Sequence, residues 1–266
     1  MGMVRSIVMV SAAVFAAALA FWGLDRQQMG SPPAPPPPAL SDTADAVPAP
    51  IAPRRPLNIR LAVADQRMGD AVHLRLYKEE GVLEVWLKQG SRFALFDTYD
   101  ICRFSGELGP KLREGDGQSP EGFYEVGAAQ LNPNSAYHLA FNLGFPNAYD
   151  RSMGRTGSHL MVHGDCVSIG CYAMTDAGIE DIYGLVAAAL QNGQRSVAVH
   201  IFPFRMTDAA LAGHAGSEWD AFWRNLKTGA DLFAETGVPP IAYACSGRYA
   251  FTHDPERLNC ARISSW

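Results

Sequence analysis

The sequence predicts a mostly β domain of the α+β class with a few packed helices. Several short runs alternate apolar and polar residues between Gly, Pro and Asn clusters, whereas only two stretches have the apolar period of a helix. The chain has 266 residues, of which 48% are hydrophobic, enough for one packed domain of about 200 residues with extensions. We predict an export segment at 1–30, a Pro-rich linker at 31–56 and one domain at 57–266.

The first 56 residues indicate a protein that leaves the cytoplasm. Arg5 precedes an uncharged apolar stretch from Ile7 to Leu24, which suits either a signal peptide cleaved near Ala20 or an uncleaved inner-membrane anchor. The following Pro- and Ala-rich tract favours an extended spacer. Both alternatives place the domain in the periplasm, either secreted or anchored.

Strands dominate the predicted domain. Apolar residues alternate with polar ones over 72–76 and again over 83–87, on either side of a turn, which predicts a hairpin. The other predicted strands are 93–101, 122–126, 137–145, 158–163 and 197–202. The Gly-rich, charged segment 105–120 is predicted to be a long loop, a type of segment that often has a function.

Two helices are predicted to pack against these strands. Residues 176–192 and 218–234 each carry apolar side chains at helical spacing, and Gly193 would end the first helix. We find no internal repeat and no second domain.

The charge of the chain excludes one class of partner. The formal net charge of -5 gives no general attraction to polyanions, so we exclude nucleic acid.

The five cysteines are Cys102, Cys166, Cys171, Cys245 and Cys260. In an oxidising compartment four of them can pair, and we predict that Cys171 is the free, reactive thiol. A local Cys245–Cys260 bridge is plausible.

Residues 159–176 hold the densest set of reactive side chains. His163 ends a predicted strand, and Cys171 follows it by eight residues, after Ser168 and Gly170 and ahead of a helix. An imidazole can take the proton of a nearby thiol, and the start of a helix favours a thiolate. Gly170 would let the backbone N–H groups approach an oxyanion.

From spacing alone, this cluster has three interpretations. Cys171 and His163 form a catalytic pair, or both are inert packing residues, or they belong to a metal site. A tetrahedral zinc site would use His159, His163, Cys166 and Cys171.

The run VHGDCVSIGCYAM resembles the signature of the YkuD-type L,D-transpeptidases, in which a His-Gly pair precedes a Ser-x-Gly-Cys turn. Further blocks resemble the YafK-like branch of this family and cover roughly residues 74–251. They are ICRFSGELGPK, GDGQSPEGFYEV, LNPNSAYHLAFNLGFPNAYD, GRTG and SVAVHIFPFRM.

This resemblance implies a YkuD-like, β-rich catalytic domain that attacks a peptide bond at the meso-diaminopimelate of a peptidoglycan stem, without a metal or cofactor. Cys171 would form the thioester and His163 would act as base and acid. The carbonyl of Gly164 or another nearby group would orient the imidazole, while Gly170 and Ser168 would serve the oxyanion site or the turn.

The chain departs from the broader family at one position of the motif. Many members have a second His before the Gly-Cys pair, where this chain has Ile169, and the His-to-Cys interval is shorter here. The candidate substrate-binding residues are Arg155, Tyr172 and His159, with Tyr137 and Asn142 as further possible contacts. A guanidinium suits a carboxylate, and His159 would share a face with His163 if the strand is regular.

Three functions follow as hypotheses. The first is an L,D-transpeptidase of wall biogenesis or remodelling, which transfers the acyl group to an amine. The second is a hydrolase of the same family, which releases a wall-linked protein or cleaves a crosslink, and the third is a non-catalytic wall-binding module. The expected partners are stem peptides, a wall-linked lipoprotein or outer-membrane protein, and the inner membrane if the anchor is uncleaved.

Overall fold

The computed structural model describes residues 54–254 and 258–264, so the predicted export segment and most of the predicted linker lie outside the described residues. In chain order the helices and strands are α1 (Leu57–Val63), β1 (Val72–Tyr77), β2 (Val82–Gln89), β3 (Arg92–Phe104), β4 (Gly122–Val126), β5 (Leu131–Ser135), β6 (His138–Asn142), α2 (Ala148–Ser152), β7 (Met161–His163), β8 (Tyr172–Met174), α3 (Asp176–Gln191), β9 (Val197–Phe202), α4 (Asp208–Gly213), α5 (Asp220–Thr236), β10 (Ile241–Cys245), β11 (Arg248–Thr252) and β12 (Ala261–Arg262).

Nine of these strands form one mixed sheet, in the order β4-β9-β1-β2-β3-β8-β7-β6-β5. The β1–β9 and β7–β8 pairs are parallel, and the other neighbours are antiparallel. The last three strands form a small antiparallel sheet with β10 in the centre. The domain is therefore β-rich with few helices, as the sequence predicts.

Two apolar clusters stabilise the domain. The larger one joins the buried side of α3, including Ile179 and Ile182, to residues of the nine-stranded sheet such as Leu74 and Phe141. The smaller one joins α5, through Trp223 and others, to residues of β4, β9 and the small sheet. Within the ranges described, no helix is long and apolar enough to cross a membrane.

Most predicted elements are confirmed. The hairpin pairs 72–77 with 82–87, the predicted strands at 122–126 and 197–202 match β4 and β9, and both predicted helices occur as α3 and α5. Residues 105–120 contain no helix or strand.

Two predicted strands are shorter than the sequence indicates. The strand predicted at 137–145 is reduced to β6, because His138 follows a turn and has a φ of 67°. That turn connects β6 to β5, which the pattern missed because its sequence LNPNS is typical of a turn. The strand predicted at 158–163 begins only at Met161, because His159 has a φ of 55°, outside the β region.

Candidate active site

The register of β7 and β8 brings the two predicted catalytic residues together. Val162 pairs with Tyr172 and His163 with Ala173, so Cys171, directly before β8, lies beside Met161. Side chains two residues apart on a strand point to the same face, so Met161 and His163 share a face of β7.

The Cys171 thiol sits in a half-buried position against the backbone of the preceding segment. The Met161 N–H points at Sγ, with a nitrogen–sulfur distance of 3.4 Å, and the thiol lies 3.7 Å from the carbonyl oxygen of His159. Burial raises the pKa of Cys171, although the Met161 N–H and the charge of Lys111 act in the opposite direction. The raised pKa favours the neutral thiol of Cys171 over its thiolate.

The His163 imidazole is held in a fixed orientation. It is buried, and its Nδ1 lies 2.7 Å from the carbonyl oxygen of Gly164. A carbonyl can only accept, so Nδ1 carries the proton and Nε2 is the nitrogen left to take another. The Tyr137 ring covers the imidazole, with 4.8 Å between ring centroids.

The loop between His163 and Cys171 is held near its start by two contacts. Cys166 forms a disulfide with Cys102 of β3, and the Asp165 N–H donates to the Asp176 carboxylate at 2.9 Å. A Cβ on Gly164 would lie 2.7 Å from the same Asp176 carboxylate, so this close approach requires glycine.

The Cys171 carbonyl accepts hydrogen bonds from two serine hydroxyls. Ser168 donates to it at 2.7 Å and Ser119 donates to it at 3.1 Å. The Ser168 proton is used in this bond, so the hydroxyl stabilises the turn. Gly170 has a φ of 103°, a conformation that favours glycine, directly before Cys171.

Cys171 does not lie at a helix N-terminus, contrary to the sequence-based expectation. It is followed by β8, and α3 begins only at Asp176, with Thr175 as its N-cap. The backbone N–H of Met161 contacts the sulfur instead.

Two of the three predicted substrate-binding residues have structural partners instead. Arg155 is buried and forms an ion pair with Asp150 at 2.8 Å, and its guanidinium lies 5.0 Å from the centroid of the Phe222 ring. Tyr172 is fully buried, and its hydroxyl donates to the Pro120 carbonyl at 2.7 Å. Neither side chain is available at the surface to meet a substrate.

His159 does not share the face of His163 through a regular strand. Its left-handed backbone breaks the alternation on which that prediction depends, and its side chain is exposed. It contributes its backbone carbonyl to the thiol environment.

The structure does not bring together the four residues of the zinc interpretation as a ligand set. Cys166 is in a disulfide and is therefore no thiolate ligand, and in the described part of the chain no group of three or more His, Cys, Asp or Glu side chains is placed to hold a metal ion. The Cys245–Cys260 pair is confirmed, and Cys171 is the free cysteine among the described residues.

A groove of about 230 Å³ lies beside β7. Its lining residues are uncharged and are Ala129, Gln130, Leu131, Asn132, Asn142 and Met161. Asn142 of β6 is paired with Met161 of β7, whose backbone N–H contacts the Cys171 sulfur. Asn142 thus lines a concave surface, while Tyr137 lies over His163.

Ser119, Ser105 and Lys111 were missed as site residues. They belong to the predicted long loop at 105–120 and to the blocks that carry the family resemblance. The only signal for them in the sequence is the Ser-Pro-Glu run after a Gly-rich stretch, because contacts with Cys171 span about 50 residues and leave no local periodicity.

The chain matches a family model and two curated proteins. Residues 83–201 match the family model described as YkuD, L,D-transpeptidase catalytic domain. The chain is also 53% identical over 184 residues to "Putative L,D-transpeptidase YafK" of Escherichia coli (strain K12), which covers 69% of this chain and 75% of that protein. The protein of the same name from Escherichia coli O157:H7 gives the same values.

Solved structures give weaker matches. The helical cell shape determining protein Pgp2 from Campylobacter jejuni (K307A mutant) matches with a TM-score of 0.42 at 21% identity, over 67% of this chain and 61% of that chain. Bd1075 of Bdellovibrio bacteriovorus matches with a TM-score of 0.37 at 20% identity, over 62% of this chain and 56% of that chain.

Proposed function

Because the chain belongs to the family of L,D-transpeptidases with a YkuD catalytic domain, we propose that it acts on peptidoglycan stem peptides through a thioester at Cys171. The transferred acyl group would be that of meso-diaminopimelate, and the acceptor an amine of a second stem or of a protein. The reaction would contribute to biogenesis or remodelling of the wall.

One observation carries this proposal. Cys171 carries a free thiol directly before β8, which runs parallel to the strand that ends at His163, and the Nδ1–H of His163 is bonded to the Gly164 carbonyl. This arrangement supports a nucleophile whose proton is taken by Nε2. The raised pKa of Cys171 supports deprotonation during the reaction rather than a stable ion pair at rest.

The chemistry proceeds in two halves. In the first half, His163 Nε2 takes the thiol proton while Sγ bonds to the carbonyl carbon of the donor stem. The C–N bond of that peptide then breaks, and the imidazolium returns the proton to the departing amine. The acceptor amine then gives a proton to His163 and attacks the thioester carbon, which releases the Cys171 thiolate to be reprotonated. The Cys171 N–H, presented by the left-handed turn at Gly170, is our candidate for oxyanion stabilisation.

The proposal includes a periplasmic location. Two disulfides, Cys102–Cys166 and Cys245–Cys260, suit an oxidising compartment. The apolar N-terminal stretch suits export, either as a cleaved signal or as an anchor.

Mass spectrometry of muropeptides tests the proposal. Purified wall would be incubated with the wild-type domain, with Cys171→Ala, with His163→Ala and with His159→Gln as a matched histidine control. We expect new crosslinked products with the wild type and with His159→Gln, and none with the other two. Shortened stems without crosslinks would identify the hydrolase instead, and unchanged wall would contradict both catalytic functions.

A further inference from the structure

Two hydroxyls, from distant parts of the chain, fix the peptide plane that follows Cys171. Ser119 and Ser168 both donate to the Cys171 carbonyl. The Ser105 N–H donates to the Ser119 hydroxyl at 3.0 Å, and the Ser105 and Ser168 hydroxyls are 2.9 Å apart. Because Ser168 uses its proton on the carbonyl, Ser105 is the donor in the second contact.

Ser119 is itself held by a fully buried ion pair. Lys78 Nζ lies 3.1 Å from the Glu121 carboxylate, and both side chains are 0% exposed. Lys78 also donates to the Ser119 and Gly109 carbonyls, each at 2.8 Å. Lys78, which directly follows β1, therefore connects the protein core to Ser119, the residue that contacts Cys171.

Glu121 fixes the other end of the same short segment. Its carboxylate accepts from the Gly109 N–H at 2.6 Å and from the Trp223 indole at 2.9 Å. Pro120, between Ser119 and Glu121, accepts from the Tyr172 hydroxyl. The three consecutive residues thus contact Cys171, Tyr172 and the core at once.

Stability alone does not account for this buried pair. Removing two charges from water costs several kcal/mol per ion, and apolar residues of similar volume often replace a buried ion pair without loss of stability. What the pair provides that apolar residues do not is a set of directed bonds to the Ser119 and Gly109 carbonyls.

We propose that Ser119, held by the Lys78–Glu121 pair, is a positioning residue that aims the Cys171 thiol. By fixing the Cys171 carbonyl, it keeps Sγ against the Met161 N–H and near the His159 carbonyl. The inference rests on the proposed role of Cys171 as nucleophile.

Ser119→Ala removes one bond to the carbonyl and leaves the buried pair in place. We expect kcat for stem-peptide turnover to fall about tenfold, equivalent to about 1.4 kcal/mol, with KM and the melting temperature near wild type. The midpoint of the pH profile of Cys171 alkylation by iodoacetamide should move to higher pH. The reason is that the sulfur loses the Met161 N–H, which favours its anion. Ser119→Thr, which keeps a hydroxyl, should restore both quantities.

Ser152→Ala is the matched control. The Ser152 hydroxyl also donates to a backbone carbonyl, that of Tyr149 in α2, at 2.7 Å. This variant should keep the wild-type kcat and alkylation profile.

The double substitution Lys78→Met with Glu121→Gln tests the role of the ion pair without leaving a lone buried charge. If the pair acts through Ser119, adding Ser119→Ala to this variant should lower kcat no further. The inference would be overturned if Ser119→Ala kept the wild-type kcat and alkylation profile. It would also be overturned if Ser119→Thr did not restore kcat and the alkylation profile. Both outcomes can be measured even if the double variant fails to fold. If iodoacetamide modifies Cys171 in the wild type but the wild type never processes stem peptides, the result would count against the proposed function. The pH profile of alkylation would still test the role of Ser119 in that case.

Discussion

Two histidines lie side by side in the core at β1 and β9, and their burial makes the fold sensitive to mild acid. His73 is 0% exposed and His200 is 2% exposed, with 4.3 Å between their ring centroids. His73 Nε2 and His200 Nδ1 have no hydrogen-bond partner, and the Arg75 guanidinium acts on both rings. Neither ring gains a proton at neutral pH.

The expected loss of unfolding free energy at acidic pH follows from the pKa of His73. Burial, together with the charge of Arg75, lowers this pKa from 6.5 to about 3. Between these values the unfolded chain binds a proton that the folded protein does not, so the free energy of unfolding falls as the pH falls. At about 1.36 kcal/mol per pH unit below 6.5, the loss between pH 7 and pH 5 is about 2 kcal/mol from His73. His200 acts in the same direction, because burial also lowers its pKa.

Urea denaturation at pH 7, 6 and 5 and constant ionic strength measures this loss. We expect the wild type to lose at least about 2 kcal/mol, and His73→Phe to lose about 2 kcal/mol less than the wild type over the same range. Phe233→Leu is the control, because its ring packs against His73 at 4.9 Å but does not titrate. It should lower stability equally at every pH. A wild-type stability that is flat from pH 7 to 5, or an unchanged slope in His73→Phe, would refute the reasoning.

Three further substitutions separate structural from functional roles. Ile169 is 93% exposed, two residues before Cys171, so Ile169→Ser should change the unfolding free energy by under about 0.5 kcal/mol. It should raise KM for stem peptides, and an unchanged KM would remove Ile169 from the proposed substrate surface. Arg155→Met leaves Asp150 buried without its ion-pair partner and should cost about 3–5 kcal/mol in urea denaturation. Wild-type stability with a raised KM would restore Arg155 as a substrate ligand. Gly164→Ala forces a Cβ towards Asp176 and should lower kcat about tenfold by displacing the carbonyl that accepts from His163. Steady-state kinetics with wild-type kcat would show that the loop adapts.

The sequence was sufficient for elements whose pattern is local. The hairpin of β1 and β2 and the helices α3 and α5 have an apolar period that survives in the structure. β5 was hidden, because Asn132 and Pro133 are turn-forming residues that here occupy the edge strand of the sheet.

For the candidate site, sequence could identify the reactive side chains but not their partners. Cys171 and His163 stand out by residue type and by family motif. The ion pair that binds Arg155 to Asp150, and the burial of Tyr172, depend on how distant segments pack. The charge of Arg155 and the position of Tyr172 next to the motif led to their prediction as substrate ligands. A single sequence shows neither the burial of a side chain nor its bonding partner.

Trapping of the acyl-enzyme tests the central claim most directly. The described domain would be mixed with a peptidoglycan tetrapeptide stem, quenched in acid, and analysed by intact-mass spectrometry and peptide mapping, in the wild type, Cys171→Ala and His163→Ala. The account predicts a thioester adduct on Cys171 in the wild type, none in Cys171→Ala and much less in His163→Ala. An adduct on another residue, or turnover of the stem that persists in Cys171→Ala, would contradict it.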